Sequence, residues 1–364
     1  MRSVSEPWKD RVLRGSRDGF VETLVSNAAL LRRRIRDPRF SMELYGVGRR
    51  SRSDVAICYI SDSVDQSVLN RMRKLIQSID VDALTMNIES LAECMFTHKW
   101  INPFPKFKYS ERPDTATAAI LDGNIVIMVD NSPAVMIIPA SIFDIIEEAD
   151  DFNFSPMIGS YLRITRFFFS IVTWILTPLW LLFVNNPDWV PEFMKFVLIT
   201  DDITVPVLLQ LLILELAVDG LKLAAVNTPT MLSTPLSIVA GIVVGEYAVS
   251  SGWFNPEALL YMAVVTVGTY GQTNFEMGYA FKFLRVLTLI LTQIFNLGGF
   301  IAGVVISVLM IAFNRTITGK SYIYPLIPWD GKMLKRKVLR VRLPHSYKSV
   351  SYTHLRAHET DQYL

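Results

Sequence analysis

The sequence has few cysteines and no catalytic motif. Its 364 residues include only two cysteines, Cys58 and Cys94, too few for a disulfide framework. No stretch matches a phosphate-binding loop, a glycine-rich dinucleotide turn or a serine nucleophile elbow. Histidine, cysteine and acidic residues do not cluster at metal-ligand spacing. We therefore predict no catalytic residue, no metal site and no cofactor, and we expect no nucleic-acid partner.

Charged residues are scarce between residues 167 and 314, although they are dense on either side of this region. The chain is 51% hydrophobic and has a mean hydropathy of +0.32, which is too apolar for an ordinary soluble protein. This distribution predicts a polar domain, a membrane domain and a basic tail. The predicted boundaries are 1–155 for a cytosolic domain, 156–318 for a helical transmembrane domain and 319–349 for a basic cytosolic tail.

The polar part alternates helical and strand patterns. Apolar residues recur at helical spacing in 18–37 and 64–80, whereas 53–61 is short and β-branched, as strands are. Two apolar runs within 123–140 flank the sequence Asp-Asn-Ser-Pro, which is typical of a hairpin. These patterns predict an α/β or α+β domain of about 140 residues, large enough to have its own core.

The apolar part contains several segments that could cross a bilayer. Residues 167–184 carry no charge and, as a helix, would be about 27 Å long, which just spans the hydrocarbon core. Arg163 and Arg166 precede them, so the positive-inside rule puts the polar domain in the cytosol. The further candidate segments are 205–226, 235–251, 257–273 and 286–314.

Two of these segments can be read in two ways. Residues 205–226 carry Glu215, Asp219 and Lys222, so they form either a crossing helix or a helix that lies in the interface. Residues 286–314 are uncharged but are interrupted by NLGGF. They form either one long tilted helix or a tight hairpin of two short helices.

The positions of basic residues help to choose between these alternatives. Six crossings would place Lys222, Lys282 and Arg285 on the same side as Arg163, in agreement with the positive-inside rule. Four crossings would leave Lys282 and Arg285 outside. We therefore expect an all-α, polytopic transmembrane domain of four to six helices, and we prefer six.

Four acidic residues lie in or beside the apolar segments: Glu215, Asp219, Glu246 and Glu276. A carboxylate at the bilayer centre costs about 2.5–3.5 kcal/mol, so such residues should face protein or water. Several acids with few buried bases indicate a cation-favouring pathway, which makes these four residues candidates for a pore or an interface. Alternatively, Glu215, Asp219 and Lys222 satisfy one another on one helix, and Glu246 forms a hydrogen bond at headgroup level.

Gly241 and Gly245 are spaced as small residues are at close helix–helix contacts. Because glycine has no Cβ atom, this pair would let the backbone of a second helix approach closely. We therefore predict helix packing at these two glycines, beside Glu246.

Four stretches together resemble the A-subunit family of bacterial spore germination receptors, the GerA family. These stretches are 14–38, 47–60, 109–139 and 274–287. Within that family, 177–184, 270–280 and 322–332, together with the helix of Glu215 and Asp219, are similar to the stage V sporulation protein AF branch. The resemblance extends from about residue 10 to residue 345 and rests on long ordered blocks.

The resemblance implies a cytosolic domain followed by a helical membrane domain in the inner membrane of the spore. It also implies a homo-oligomeric ring with an ion-conducting pore, and we expect monovalent cations to be the ions released during germination. Other membrane subunits of the germination complex are the implied partners. A non-conducting scaffold or sensor subunit is the alternative, and the missing motifs disfavour an enzyme acting on lipid or peptide.

Two departures from the family concern the chain ends. Relatives carry another subdomain before the block that starts here at Arg14, so we expect the chain to lack a preceding subdomain. Residues 350–360 back-translate into a transposase adapter used to prepare sequencing libraries. We therefore expect residues 350–364 to be non-native.

Overall fold

The computed structural model of the chain describes residues 6–7, 10–96, 102–227, 241, 246–272 and 274–341. The chain divides into two compact units. The first comprises Met1–Ile164 and Ala312–Leu364, and the second comprises Thr165–Ile311. The described residues 319–341 of the predicted tail thus belong to the same unit as the N-terminal residues. The predicted non-native segment 350–364 lies outside the described residues.

The first unit contains a five-stranded sheet in which every strand pair is antiparallel. Its strands are β1 (Phe40–Val47), β2 (Ser53–Ile60), β3 (Lys108–Ser110), β4 (Ile125–Val129) and β5 (Val135–Ile138). Its first helices are α1 (Leu24–Arg34), α2 (Gln66–Gln77), α3 (Ile88–Met95), α4 (Pro113–Leu121), α5 (Ile142–Ile146) and α6 (Asp150–Asn153). The strand order is β1-β2-β4-β5-β3, so this unit has an α+β fold.

Strand β2 separates two hydrophobic cores. Val55 and Ile57 pack into a core with α2 and α3, whereas Ala56 and Cys58 pack into a second core with α1 and α4. Because both faces of this strand are covered, its apolar residues form a continuous run instead of alternating with polar residues. The burial of Cys58 also fits a structural thiol.

Most elements predicted for this unit are confirmed. Strand β2, helix α2 and the β4–β5 hairpin lie where the sequence predicts them. Helix α1 begins later than predicted, because the Asn27 side chain holds the preceding segment extended through two hydrogen bonds to the Val21 backbone, at 2.8 and 2.6 Å. Strand β1 was not predicted, since FSMELYGV mixes polar and apolar residues without a clear alternation.

The second unit is helical. Helix α7 (Pro156–Asn185) begins in the first unit and continues into this one. Two 3₁₀ turns follow, Pro187–Trp189 and Glu192–Val197, and then α8 (Val207–Asn227), α9 (Ala248–Ser250), α10 (Pro256–Tyr270) and α11 (Phe275–Ala312). Among the described residues, α7 and α11 are long and apolar enough to cross a membrane. Helix α12 (Gly331–Val338) returns to the first unit.

Helix α11 is a hairpin of two helices. Asn296 interrupts it with φ 51° and ψ −130°. A Cβ atom on Gly299 would lie 1.7 Å from the Leu291 carbonyl oxygen, and one on Gly303 would lie 2.8 Å from the Thr288 side chain. In a straight helix, residues 288 and 303 would be about 22 Å apart, so the chain must reverse between them. Of the two alternatives for residues 286–314, the structure therefore has the hairpin.

The tip of this hairpin lies beside the end of α7. The amide side chains of Asn186 and Asn296 form reciprocal hydrogen bonds of 2.6 and 2.9 Å. At the start of α8, Gln210 donates to the Asn255 side chain at 2.7 Å and accepts from its backbone at 2.8 Å, which places the starts of α8 and α10 together. Amide pairs of this kind satisfy polar groups that would otherwise be buried without partners.

Candidate functional site

The four acidic residues predicted as candidates fall into two groups. Glu215 and Asp219 lie on α8 and face α11, where Glu215 is buried. Glu246 and Glu276 are both exposed and lie elsewhere in the second unit. The first pair belongs to a cluster of charged side chains on α8 and α11.

Helix α8 and the first half of α11 run antiparallel and bring two acids to two bases. Glu215 pairs with Arg285, and Asp219, one turn later on α8, pairs with Lys282, one turn earlier on α11. The spacings of four and three residues put each pair on one face of its helix. Arg285 lies about 15 Å along α11 from Phe275, so the cluster is near the middle of that helix.

Arg285 connects three helices. Its Nε atom donates to Oε1 of Glu215 at 2.5 Å, and its Nη1 atom donates to the backbone carbonyl of Thr173 on α7. The side chains of Arg285 and Glu215 are only 3% and 6% exposed. At this depth an unpaired charge would be strongly unfavourable, so the ion pair and the carbonyl acceptor together make the burial of the guanidinium possible.

Lys282 bridges the two acids of α8. Its Nζ atom contacts Oδ2 of Asp219 and lies 3.2 Å from the backbone carbonyl of Glu215 and 3.6 Å from Oε2 of Glu215. The second carboxylate oxygen of Asp219 is buried and accepts no hydrogen bond, and Nζ of Lys222 lies 4.0 Å from it. The cluster therefore leaves one carboxylate oxygen incompletely satisfied.

Lys222 lies at the edge of a small cavity. Its ammonium group is 5.3 Å from the ring centre of Tyr270 and 5.5 Å from that of Tyr279, within the range of cation–π contacts. The cavity has a volume of about 50 Å³, enough for a few water molecules. Polar groups of Thr266, Thr269, Gln272 and Asn274 complete its lining.

The cluster corrects two expectations from the sequence. Lys282 and Arg285 were placed before the last membrane segment, but α11 begins at Phe275 and both residues lie inside it. The acids were also expected to have few buried bases, whereas Lys222, Lys282 and Arg285 outnumber Glu215 and Asp219 by one. Each base is tolerated within an apolar helix because an acid on α8 faces it.

This arrangement can hold charged groups in an apolar region. No group of three or more His, Cys, Asp or Glu side chains in the described part of the chain could hold a metal ion. The ion pairs join α8 to α11, and the hydrogen bond from Arg285 to the Thr173 carbonyl joins α11 to α7. The cavity beside Lys222 gives the charged groups access to a small polar volume. The contacts within α8 alone are weak, since the Asp219–Lys222 distance is 4.0 Å.

The remaining predicted residues lie apart from the cluster. Glu246 is exposed, and it lies close before the turn at Ser251, where the chain leaves the short helix α9. Glu276 is exposed in the first turn of α11, where the helix dipole stabilises a carboxylate. A Cβ atom on Gly241 would meet nothing within 4 Å, and Gly245 lies outside the described residues.

Sequence reasoning missed the partners of the acids and the seam of the hairpin. The spacing of Lys282 and Arg285 matches that of Glu215 and Asp219 on an antiparallel helix, and this match is a signal that could have been used. The Gly299 and Gly303 spacing is a small-residue motif of the same kind as the one noted at Gly241.

The chain was compared with known protein families and curated proteins. The family model described as Bacillus/Clostridium GerA spore germination protein matches residues 1–351. Stage V sporulation protein AF of Bacillus subtilis (strain 168) is 38% identical over 353 residues, which cover 97% of this chain and 71% of that protein. Spore germination protein XA of Bacillus anthracis is 27% identical, with 90% of this chain and 66% of that protein covered. The chain thus spans about two thirds of the length of these relatives.

One solved structure also matches part of the chain. It is the crystal structure of the N-terminal domain of the A subunit of the Bacillus megaterium spore germinant receptor GerK3. The match is 32% identical and covers 33% of this chain and 93% of that structure, with a TM-score of 0.27.

Proposed function

The chain belongs to the GerA family of spore germination proteins, and from this membership we propose that it is a membrane subunit of a spore germination complex. In this proposal it resides in the inner membrane of the spore, with its first unit in the cytosol. Membership of this family, whose members include spore germination protein XA, supports other membrane subunits of the germination complex as partners.

The proposed topology has six crossings, of which α7 supplies one and the hairpin α11 supplies two. Arg163 and Arg166 at the start of α7 favour the cytosolic side, whereas Asp188 and Glu192 follow its end. The Asn186–Asn296 contact supports placing the tip of the hairpin on the opposite side from these arginines. Helices α8 and α10 would be two further crossings, and the predicted segment 235–251, which lies mostly outside the described residues, would be the sixth.

The proposed activity is ion conduction by a homo-oligomer of this chain. The observation that carries it is a cluster of five ionisable side chains on α8 and the first half of α11, two of them buried and three partly buried, beside a polar cavity. Ionisable residues within membrane segments most often line ion or substrate paths. Exposed Glu246 adds support, because a carboxylate is unfavourable against lipid and would instead face water or a second copy.

One observation favours a second function, that of a non-conducting scaffold or sensor. Glu215 and Asp219 each have a basic partner on α11, so a purely structural role, holding α8 against α11, would account for both residues. Such a role needs no conducted ion. The two functions therefore differ in whether the purified chain passes current.

Flux from liposomes tests this difference. We expect liposomes that contain the full chain to release entrapped potassium faster than empty liposomes. We also expect Glu246→Gln to slow release several-fold, whereas Glu192→Gln, which changes an exposed acid in the loop after α7, leaves it unchanged. Absence of flux at every ratio of chain to lipid, with retained binding to another germination subunit, would refute conduction and support the scaffold.

A further inference from the structure

The cavity beside Lys222 presents hydrogen-bond acceptors to a ligand. Thr266 and Thr269 lie three residues apart on α10 and line the cavity. Their hydroxyl groups donate to backbone carbonyl oxygens of the same helix at 2.7 and 2.8 Å, and a hydroxyl oxygen that donates its proton keeps its lone pairs. Oδ1 of Asp219 is buried and accepts no hydrogen bond. These three oxygen atoms therefore offer lone pairs and no proton.

Three donor groups at the same cavity already have partners. Lys282 and Arg285 donate to the two carboxylates of α8. The amide nitrogen of Gln272 donates to the Ser170 hydroxyl at 2.9 Å. Because oxygen lone pairs coordinate cations, a lining with free acceptors and occupied donors favours a cation over an anion.

Lys222 places a positive charge among these acceptors. Its Nζ atom lies 4.0 Å from Oδ1 of Asp219, and it lies 5.3 and 5.5 Å from the ring centres of Tyr270 and Tyr279. An ammonium group has three N–H donors, but Lys222 donates no hydrogen bond to a described residue. Charge attraction and the ring faces therefore hold this ammonium group, and a free cation would meet the same groups.

The size of the cavity limits the ligand to a single small ion. Its volume is about 50 Å³, whereas sites for organic ligands usually measure about 300–1,000 Å³. A divalent ion such as Ca²⁺ takes about six to eight oxygen ligands, with carboxylates among them. Asp219 supplies one free carboxylate oxygen at this cavity, so the chemistry fits a monovalent cation.

Lys222 and a free cation exclude each other from the cavity. The two acids of α8 balance the two bases of α11, so the cluster is neutral without Lys222 and carries one positive charge with it. A free cation beside the Lys222 ammonium group would be repelled at close range. The site therefore holds one of the two at a time.

The cavity lies near the ends of its helices. It adjoins the place where α10 ends at Tyr270 and α11 begins at Phe275, and Tyr270 is 60% exposed. Lys222 lies about 7.5 Å along α8 before the last residue of that helix, Asn227. Lysine side chains extend along a helix to bring their ammonium group into water. Exchange of Lys222 for an ion therefore needs the movement of one side chain and not of a helix.

We propose that this cavity is a binding site for one monovalent cation of the size of potassium or ammonium, and that Lys222 is a tethered competitor that fills the site in this structure. The inference rests on the proposed conduction and deepens it, because it gives the conducted ion a site within the chain. An ion enters when the Lys222 side chain turns outward, and the return of Lys222 expels it. Reversible binding of this kind suits an ion that must also leave the site.

The test measures thermal unfolding of the full chain in detergent micelles, where no flux occurs. Potassium chloride replaces N-methylglucamine chloride at constant total chloride, because N-methylglucamine is too large for the cavity. The variant is Lys222→Gln, which removes the competing charge. The matched control is Lys195→Gln, which removes an exposed lysine outside the cavity. Far-ultraviolet circular dichroism gives the midpoint of unfolding.

We expect potassium at about tenfold excess over its dissociation constant to raise the midpoint of Lys222→Gln by about 2–4 °C. The midpoints of the unsubstituted chain and of Lys195→Gln should move by less than about 1 °C, because Lys222 fills the site in both. Thr266→Val and Thr269→Val, added to Lys222→Gln, remove two oxygen ligands. They should raise the potassium concentration needed for the same shift at least about fivefold.

A second measurement needs no variant. An amine-reactive reagent acetylates Lys222 of the unsubstituted chain, and mass spectrometry of the peptide gives the rate. Because potassium competes with the ammonium group, it should speed this reaction at least about twofold relative to N-methylglucamine. Exposed Lys195 should react at the same rate in both salts.

Three outcomes would overturn the proposal. A potassium response of Lys222→Gln no larger than that of Lys195→Gln would show that the cavity binds no ion. A response unchanged by the two valine substitutions would place the ion elsewhere. Acetylation of Lys222 at the same rate in both salts would show that Lys222 does not compete, and this result decides alone if Lys222→Gln does not fold. Neither measurement involves flux, so failure here is distinct from failure of the proposed conduction.

Discussion

Removal of the Glu215 carboxylate should destabilise the second unit more than removal of its partner. Glu215→Leu leaves three bases, Lys222, Lys282 and Arg285, with Asp219 as their one acid in the cluster. Breaking a buried ion pair in this way costs about 3–5 kcal/mol, because an uncompensated charge stays buried. We therefore expect the free energy of unfolding to fall by that amount.

The partner substitution should cost less. Arg285→Met leaves two acids with two bases, and Nζ of Lys282 already lies 3.6 Å from Oε2 of Glu215. Glu215 thus keeps a cation, and we expect a loss of about 1–3 kcal/mol. As a control, Glu192→Gln breaks an exposed pair with Lys195, in which the Glu192 side chain is 90% exposed, and should cost less than about 0.5 kcal/mol.

Unfolding of the full chain in mixed micelles, followed by far-ultraviolet circular dichroism during a titration with a denaturing detergent, measures these differences. The expected order of destabilisation is Glu215→Leu, then Arg285→Met, then Glu192→Gln. A Glu215→Leu variant as stable as the Glu192→Gln control would refute the claim that the cluster is buried and paired. A larger loss for Arg285→Met than for Glu215→Leu would refute the count of charges.

Three further predictions concern packing and protonation. Gly299→Ala should destabilise the hairpin by about 1–3 kcal/mol, because the added Cβ atom would lie 1.7 Å from the Leu291 carbonyl oxygen. Gly298→Ala is the control and should leave stability unchanged, because its Cβ atom would meet nothing within 4 Å. The same detergent titration measures both variants. Burial lowers the pKa of Lys106 to about 8 from 10.5, so the unfolded chain binds more protons between these values. Stability should therefore rise with pH across that window in thermal unfolding, and a Lys106→Met variant that keeps the rise would contradict this. A hydrogen bond from Arg73 lowers the pKa of Glu43 to about 2 from 4.5. The contribution of the Glu43 carboxylate to the free energy of unfolding should therefore be lost as pH falls from about 4.5 to 2. Glu43→Gln should make the stability less dependent on pH in this range, in the same thermal unfolding measurement.

The sequence predicts those elements whose pattern is local. Strand β2 and helix α2 follow from apolar runs and helical spacing, and the β4–β5 hairpin follows from its Asp-Asn-Ser-Pro turn. Strand β1 was not predicted, because its side chains alternate between core and solvent only in part, with Leu44 66% exposed. The choice of antiparallel pairing depends on contacts between distant strands, which no local pattern encodes.

The acids of the cluster were found from sequence, but their partners were not. Glu215 and Asp219 attract notice because carboxylates are rare in apolar segments. Lys282 and Arg285 precede a long uncharged run and so resemble loop residues at the cytosolic boundary. Their place inside α11 depends on the register between two antiparallel helices that are 70 residues apart in sequence at the Glu215–Arg285 contact. Tertiary pairing therefore overrides the charge rule at this site.

The most direct test of the account asks whether α8 crosses the membrane. Thr204 and Asn227 are exposed at the two ends of α8, and single cysteines at these positions, in a Cys94→Ser chain, can be labelled with a membrane-impermeant maleimide. We predict that Thr204→Cys is labelled in intact cells and that Asn227→Cys is labelled only after permeabilisation. Labelling of both positions from the same side would show that α8 lies along the surface. The placement of the charge cluster within the membrane would then be wrong.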